Sequence, residues 1–187
     1  MKGEWCYFKS YFSKDYCNSI IEKSKDFNFQ EANLGDNGLT INDGYRKSRV
    51  TWIYPNDFPQ LYDDLWKLQL IANRDWFGFH VDNLEYIQLS EYNESNQGEY
   101  KKHQDVFYIN NSTRHRKLSA VIQLSDSVEY CGGDLKLFNC NEYPDSNEIR
   151  EQGTVIFFPS FVFHQVDPVI IGKRNSLVAW FEGPKWR

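Results

Sequence analysis

From Trp76 onward the chain never again sustains a helical period. Short strand-like runs follow instead at near-regular intervals: LEYIQLSEY, EYKKHQDVF, KLSAVIQLS, GDLKLFN, GTVIFFPS, FVFHQV and NSLVAWFEG. Gly, Asn, Asp and Pro punctuate them, which is the composition of turns. Many short strands without intervening helices build an all-β barrel or sandwich, not a parallel doubly wound sheet.

Two helices precede the strands. FSKDYCNSIIEKSKDF places Ser13 as an N-cap, with Tyr16, Cys17, Ile20 and Ile21 on one apolar stripe. NDFPQLYDDLWKLQLIANRDW has Asn56 or Asp57 as cap and Pro59 in its first turn. Its stripe is Phe58, Leu61, Leu65, Leu68 and Ile71 or Ala72. Between them NLGDNGLTINDGYRKSRVTWIY is glycine-punctuated and then strand-like over Arg49–Tyr54. One stripe per helix means that each covers the outside of a sheet. The expected fold is mainly β with flanking helices: a double-stranded β-helix (jelly roll, cupin-like) with N-terminal helices packed on one sheet. A single domain over 1–187 is expected, with 1–76 as helical buttress and early strands and 77–187 as the jelly-roll core.

The formal net charge of −5 argues against non-specific nucleic-acid or membrane binding. Aromatic residues make up 17% of the chain, enough to fill a core and also wall a pocket. Cys6, Cys17, Cys131 and Cys140 form no C-x-x-C pair, which excludes a zinc knuckle or thioredoxin-like motif. No stretch reaches membrane-spanning length, and the first residues lack the apolar run of a signal peptide, so a cytoplasmic protein with free thiols is expected. Cys131 and Cys140 flank an apparent strand, and their pairing stays open.

His103 and Asp105 are two residues apart in a strand-like run, so they project to one face with Gln104 on the other. An imidazole and a carboxylate converging this way supply two ligands of a facial triad that a second histidine completes on Fe(II). His164 lies in the most apolar stretch, GTVIFFPSFVFHQVDP, as a hydrogen-bonded core residue or a ligand facing a cavity. His80 precedes the first barrel strand, and His115 in STRHRK reads as a solvated loop or rim. Arg174 interrupts a strand that then runs apolar to Trp180, a costly place for a guanidinium unless it meets an anion. Ser176 shares its face and adds a hydroxyl. Metal ligands on one side and a bidentate carboxylate anchor on the other suit a cosubstrate that chelates metal and carries a second carboxylate.

The ordered set resembles the 2-oxoglutarate/Fe(II)-dependent dioxygenase superfamily, in its prolyl 4-hydroxylase-like branch. YFSKDYCNSIIEKS is similar to the opening helix of that branch and YRKSRV to its early Arg-x-Ser segment. QLSEYNESNQGEYKKHQD resembles its Tyr…Gly-x-Tyr-x-x-His-x-Asp block, and LSDSVEYCGGDLKLF its Leu-Ser-Asp…Gly-Gly-x-Leu strand pair. GTVIFFPSFVFHQVDPV resembles the strand of the distal histidine, and GKRNSLVAWFEGP the closing Arg-x-Ser strand. The resemblance implies Fe(II) on His103, Asp105 and His164, and 2-oxoglutarate on Arg174 and Ser176. It places Tyr92 near the cosubstrate and Leu135 packed against it. Many relatives carry a second cosubstrate tyrosine where this chain has Gln123. Trp180 would be a pocket wall, and Arg46, Arg49 and Tyr108 substrate-side residues.

The implied activity is hydroxylation of a peptidyl (leading candidate prolyl) or free amino-acid side chain, with O2 consumed and succinate and CO2 released, and ascorbate as a reductant. A carboxylate at Asp105 favours hydroxylation over halogenation. The same-fold rival is an oxygenase acting on nucleic acid or a small molecule, but RNSLVAWF lacks the second downstream arginine of the nucleic-acid demethylases. A non-catalytic metal- or sugar-binding jelly roll is the rival of another class. The charge run TRHRK reads as a solvated loop ahead of a patch that steers an acidic substrate, and RKSR reads equally as a substrate-side lip or an ordinary charged hairpin.

Overall fold

The strand-rich half folds as expected into two antiparallel sheets that face each other, with helices on the outside of one. The computed structural model describes residues 1–32, 44–108 and 112–186; the glycine-punctuated stretch at 33–43 lies outside the described residues. The N-terminal part holds β1 (Cys6–Phe8), α1 (Lys14–Ser24), β2 (Gln30–Glu31), β3 (Arg46–Lys47), β4 (Arg49–Ile53) and α2 (Pro59–Ala72). Then come β5 (Asn83–Leu84), β6 (Ile87–Asn93), β7 (Glu99–His103), β8 (Arg114–Gln123), β9 (Tyr130–Gly132) and β10 (Leu135–Leu137). A short α3 (Ser146–Ile149) leads into β11 (Val155–Pro159), β12 (His164–Val166) and β13 (Val169–Pro184).

The larger sheet runs β1-β11-β8-β13-β6-β4-β2, with β5 and β9 also on β13. The smaller runs β10-β12-β7-β3. Because successive side chains alternate across a strand, each strand of the larger sheet serves two environments. Ile53, Ile87, Leu89, Leu118, Ala120, Ile122, Val155, Phe157, Leu177, Ala179 and Phe181 are buried in one cluster with Cys17, Ile20, Leu61, Leu65, Leu68 and Ala72 of the two long helices. The alternate residues face the smaller sheet.

Ser13 caps α1 as expected, its Oγ accepting from the Tyr16 amide at 3.2 Å. The cap of α2 differs from the sequence expectation. Phe58 is the N-cap and makes no side-chain cap bond, because the Asp57 carboxylate accepts from the Tyr54 amide at 2.8 Å and closes the preceding turn. Pro59 at the first helical position lacks an amide hydrogen in any case, which leaves one fewer donor to satisfy. Ala72 and not Ile71 ends the buried stripe.

The two-residue strands and the edge strand β1 have no counterpart in the sequence reading, since runs that short carry no readable period. The last strand also begins at Val169, well before the apolar run from Ser176. No helix among the described residues is long and apolar enough to cross a membrane. All four cysteines are free, Cys131 exposed and Cys140 buried, so the pairing left open does not form.

Candidate active site

His103 ends β7 and lies directly opposite His164 on β12, with ring centroids 4.1 Å apart. Asp105 lies beyond the end of β7, where its amide donates to the Ser160 carbonyl at 2.9 Å. Convergence of His103 and Asp105 therefore owes more to this exit from the strand than to strand alternation. Gln104, expected to point away, donates instead to the Phe161 carbonyl.

The carboxylate reaches both imidazoles: His103 Nε2 lies 3.7 Å from Oδ1 and His164 Nε2 lies 3.6 Å from Oδ2. Each Nδ1 faces a carbonyl, Lys101 at 2.8 Å and Val162 at 3.0 Å. A carbonyl only accepts, so Nδ1 carries the proton and Nε2 is left as a lone pair toward the carboxylate. Burial, reinforced by the neighbouring His164, pushes the His103 pKa down to about 3, so this imidazole is neutral at physiological pH. Burial alone would raise Asp105. The attraction of the facing imidazoles once they take up a proton, Arg116 and the Ser119 hydroxyl, which donates to Oδ2 at 2.6 Å, outweigh it and hold the carboxyl below its ordinary range. Ser160 supports Ser119 in turn at 3.0 Å.

One ligand atom from each of the three residues can be chosen so that all lie within 4.8 Å of one another. Two imidazole nitrogens and one carboxylate, open toward a cavity, form the donor set that suits Fe(II) with positions to spare. His103, Asp105 and His164 are thus the residues that would hold it.

Arg174 on β13 is 1% exposed and faces the same cavity. Its Nη1 donates to Ser176 Oγ at 3.1 Å and its Nη2 to Gln123 Oε1 at 2.9 Å, while its buried Nε has no partner among the described residues. Its Cζ lies 5.4 Å from the Tyr92 ring. Gly133 (φ +67°) packs so closely that a Cβ there would stand 3.0 Å from Arg174 Cδ. No carboxylate of the described residues pairs with this guanidinium, and an uncompensated buried cation is an anion site in waiting.

The cavity measures about 530 Å³ and contains the triad, Arg174, Ser176, Tyr92, Leu135, Arg46 and Trp180. Arg46 is buried and donates to Ser48, Gln88 and Ser90. Arg49 and Tyr108 are not among the cavity residues. Arg49 is exposed and pairs with Glu91 at 3.4 Å, and Tyr108 is exposed beside the His115 ring. His80 is also largely exposed, near Asp82. His115 is no solvated loop residue: it sits on β8, 5% exposed, and its Nδ1 accepts from the Trp186 amide at 3.1 Å.

Sequence reasoning did not single out Ser119, Gln88 or Glu85, and met Tyr100 and Arg116 only within the His-x-Asp block and the TRHRK run. Tyr100 stacks on His103 with centroids 3.5 Å apart. Arg116 Cζ lies 3.9 Å over the Trp180 ring, and its Nε donates to Glu85 at 2.6 Å. A register shift explains why Arg116 was hidden. Phe181 pairs with Leu118 but Glu182 pairs with Arg116, so a bulge at Lys117 turns Arg116 and Arg114 toward the cavity. Burial pushes the Glu85 pKa up to about 7, with Glu182 adding to the rise and Arg116 opposing it.

Residues 87–182 match the family model of the 2OG-Fe(II) oxygenase superfamily. A PKHD-type hydroxylase of Synechococcus sp. is 34% identical over 87 residues, covering 46% of this chain and 37% of that protein. One from Prochlorococcus marinus is 36% identical over 84 residues, covering 44% and 36%. These matches span little more than a third of the relatives' own length.

Among solved structures, a Pseudomonas putida prolyl-4-hydroxylase superposes with a TM-score of 0.72 at 19% identity, over 96% of this chain and 92% of that one. A prolyl hydroxylase from Trichoplax adhaerens, in complex with a hypoxia inducible factor peptide fragment, gives 0.75 at 18% identity, over 96% and 83%. The collagen prolyl hydroxylase of Paramecium Bursaria Chlorella virus-1 gives 0.70 at 17%, over 96% of both chains. These three show a shared fold.

Proposed function

The chain belongs to the 2OG-Fe(II) oxygenase superfamily, and from that premise we propose that it is an Fe(II)- and 2-oxoglutarate-dependent dioxygenase. Its substrate is a peptidyl, foremost prolyl, or free amino-acid side chain. The observation that carries this reading is the pairing, inside one cavity, of a two-histidine, one-carboxylate cluster with a buried guanidinium that has no anion of its own. The name of the peptide-bound structural neighbour favours a peptide over a nucleic acid.

In this proposal His103, Asp105 and His164 hold Fe(II), and Arg174 with Ser176 grips the distal carboxylate of 2-oxoglutarate between Tyr92 and Leu135. The metal, when bound, supplies the redox chemistry that couples loss of CO2 from 2-oxoglutarate to hydroxylation by O2. The chain's own residues do the rest. The Nδ1–H bonds aim both imidazoles, and the Ser119–Ser160 relay keeps Asp105 ionised and in place. Phe158, 4.7 Å from the His164 ring, and Tyr100 keep water from the far sides of the imidazoles. Arg46 and Trp180, which line the cavity, meet the substrate, whereas Arg49 is turned away to Glu91 and Tyr108 stands outside the cavity beside His115. The frame is a jelly roll in one domain, and four free thiols suit a reducing cytoplasm with ascorbate as the ancillary reductant.

Anaerobic wild-type protein given Fe(II) and 2-oxoglutarate develops a weak visible charge-transfer band. His103→Ala and Asp105→Ala lack it. Arg174→Ala weakens 2-oxoglutarate binding by about 10–100-fold while leaving metal affinity nearly intact. Equal loss of both affinities would contradict the role given to Arg174.

A further inference from the structure

The cavity holds a second guanidinium built like the first. Arg174 is followed two residues on by Ser176, to which it donates; Arg46 is followed two residues on by Ser48, to which its Nε donates at 2.8 Å. Arg174 leans on an amide oxygen of the adjacent strand, Gln123; Arg46 leans on Gln88 Oε1 at 2.9 Å, with Ser90 Oγ at 3.4 Å. Arg174 neighbours the Tyr92 ring, and Arg46 Cζ lies 4.4 Å from the Tyr100 ring, the ring that stacks on His103. Both arginines are more than nine-tenths buried, at 1% and 8% exposure, and both line the cavity.

Neither has a carboxylate partner among the described residues, and several acids of the neighbouring strands are already committed. Glu99 pairs with Lys47 and Lys101, Glu91 with Arg49 and Lys173, and Glu85 with Arg116. A buried guanidinium surrounded only by neutral acceptors is poorly compensated, and its planar fork matches a carboxylate. 2-Oxoglutarate offers one distal carboxylate, which Arg174 takes. We propose that Arg46 is a second carboxylate anchor, built for a carboxylate carried by the substrate: the free carboxylate of an amino acid or of a peptide's last residue. The proposal rests on the oxygenase reading for the identity of the first anchor.

Acetate is the simplest probe. Protein held anaerobically with Fe(II) and saturating 2-oxoglutarate gains about 2 °C in Tm from ~50 mM acetate, and Arg46→Met gains nothing. Equal response in both proteins, or none in either, overturns the proposal. Calorimetry on the same loaded protein then separates the two sources. L-Proline and a short peptide ending in a free proline carboxylate are compared with the same peptide amidated, the acid forms binding at least about tenfold tighter in wild type and no tighter in Arg46→Met. Preference for the free amino acid over the peptide acid assigns the first source, and the reverse the second. Equal binding of acid and amide by wild type contradicts the assignment.

Arg46→Met leaves the Kd for 2-oxoglutarate within about threefold, and a loss comparable to that of Arg174→Met would make Arg46 the cosubstrate anchor instead. Ligand-free Arg46→Met unfolds at or above the wild-type Tm; a fall of more than about 4 °C would make the guanidinium a structural strut. If wild type binds no 2-oxoglutarate, the oxygenase reading fails by itself, and the acetate comparison in an Arg174→Met background still decides Arg46.

Discussion

The two faces of the larger sheet are made by the same strands and have opposite characters. On the helix side, Leu89, Leu177, Ala179, Ile122, Phe157 and Phe181 are all 0% exposed and belong to one apolar cluster. On the cavity side, the alternate positions include the polar Gln88, Ser90, Ser119, Gln123, Arg174 and Ser176, almost as deeply buried, beside the apolar Val121, Ile156, Phe158 and Val178. Burying polar groups costs stability unless they find partners, and two guanidiniums here find only neutral ones. One face holds the fold together, and the other is held in an arrangement that its own contacts do not fully reward.

The largest expected effect falls on the apolar face. Phe157 packs between Phe8 and Phe181, with centroids 6.0 and 5.8 Å away. Phe157→Ala lowers unfolding free energy by about 3–5 kcal/mol in urea titrations. On the polar face the sign reverses. Arg174→Met, which removes an uncompensated buried cation, raises the stability of ligand-free protein by about 1 kcal/mol in the same titration. A loss as large as that of Phe157→Ala would erase the distinction between the faces.

The smallest effect is at the rim. Glu85 is raised from its ordinary 4.5 to about 7, so the folded state binds more protons than the unfolded one across that interval. Wild-type stability therefore falls as pH rises from about 4.5 to 7, by on the order of 1 kcal/mol once the Arg116 ion pair is allowed for, and stays lower above it. Glu85→Gln removes that slope, which unfolding curves at pH 5 and pH 8 would reveal.

How much of this was legible depended on whether a residue's role follows from its neighbours in sequence. Leu61, Leu65 and Leu68 announce a buried helix stripe, and His103, Asp105, His164 and Arg174 stand out because charge in apolar strands needs a reason. The RKSR run gave no such contrast. Read as a charge run it looks solvated, yet alternation buries Arg46 and Ser48 while Lys47 and Arg49 turn outward to Glu99 and Glu91. Arg116 and His115 were misplaced because a one-residue bulge at Lys117 reverses the faces of that end of β8, and a bulge depends on pairing that a single strand's sequence does not contain. The expected cap of α2 failed because the Asp57 carboxylate is taken by the Tyr54 amide of the preceding turn.

The polar face is proposed to work as an iron and 2-oxoglutarate site. The most direct measurement is succinate formed from 2-oxoglutarate in air, with and without Fe(II), for wild type and Asp105→Ala. Wild type forms succinate only with Fe(II), even without an added substrate, and Asp105→Ala forms none above the protein-free rate. Succinate formation by Asp105→Ala at the wild-type rate, or none by iron-loaded wild type, would contradict it.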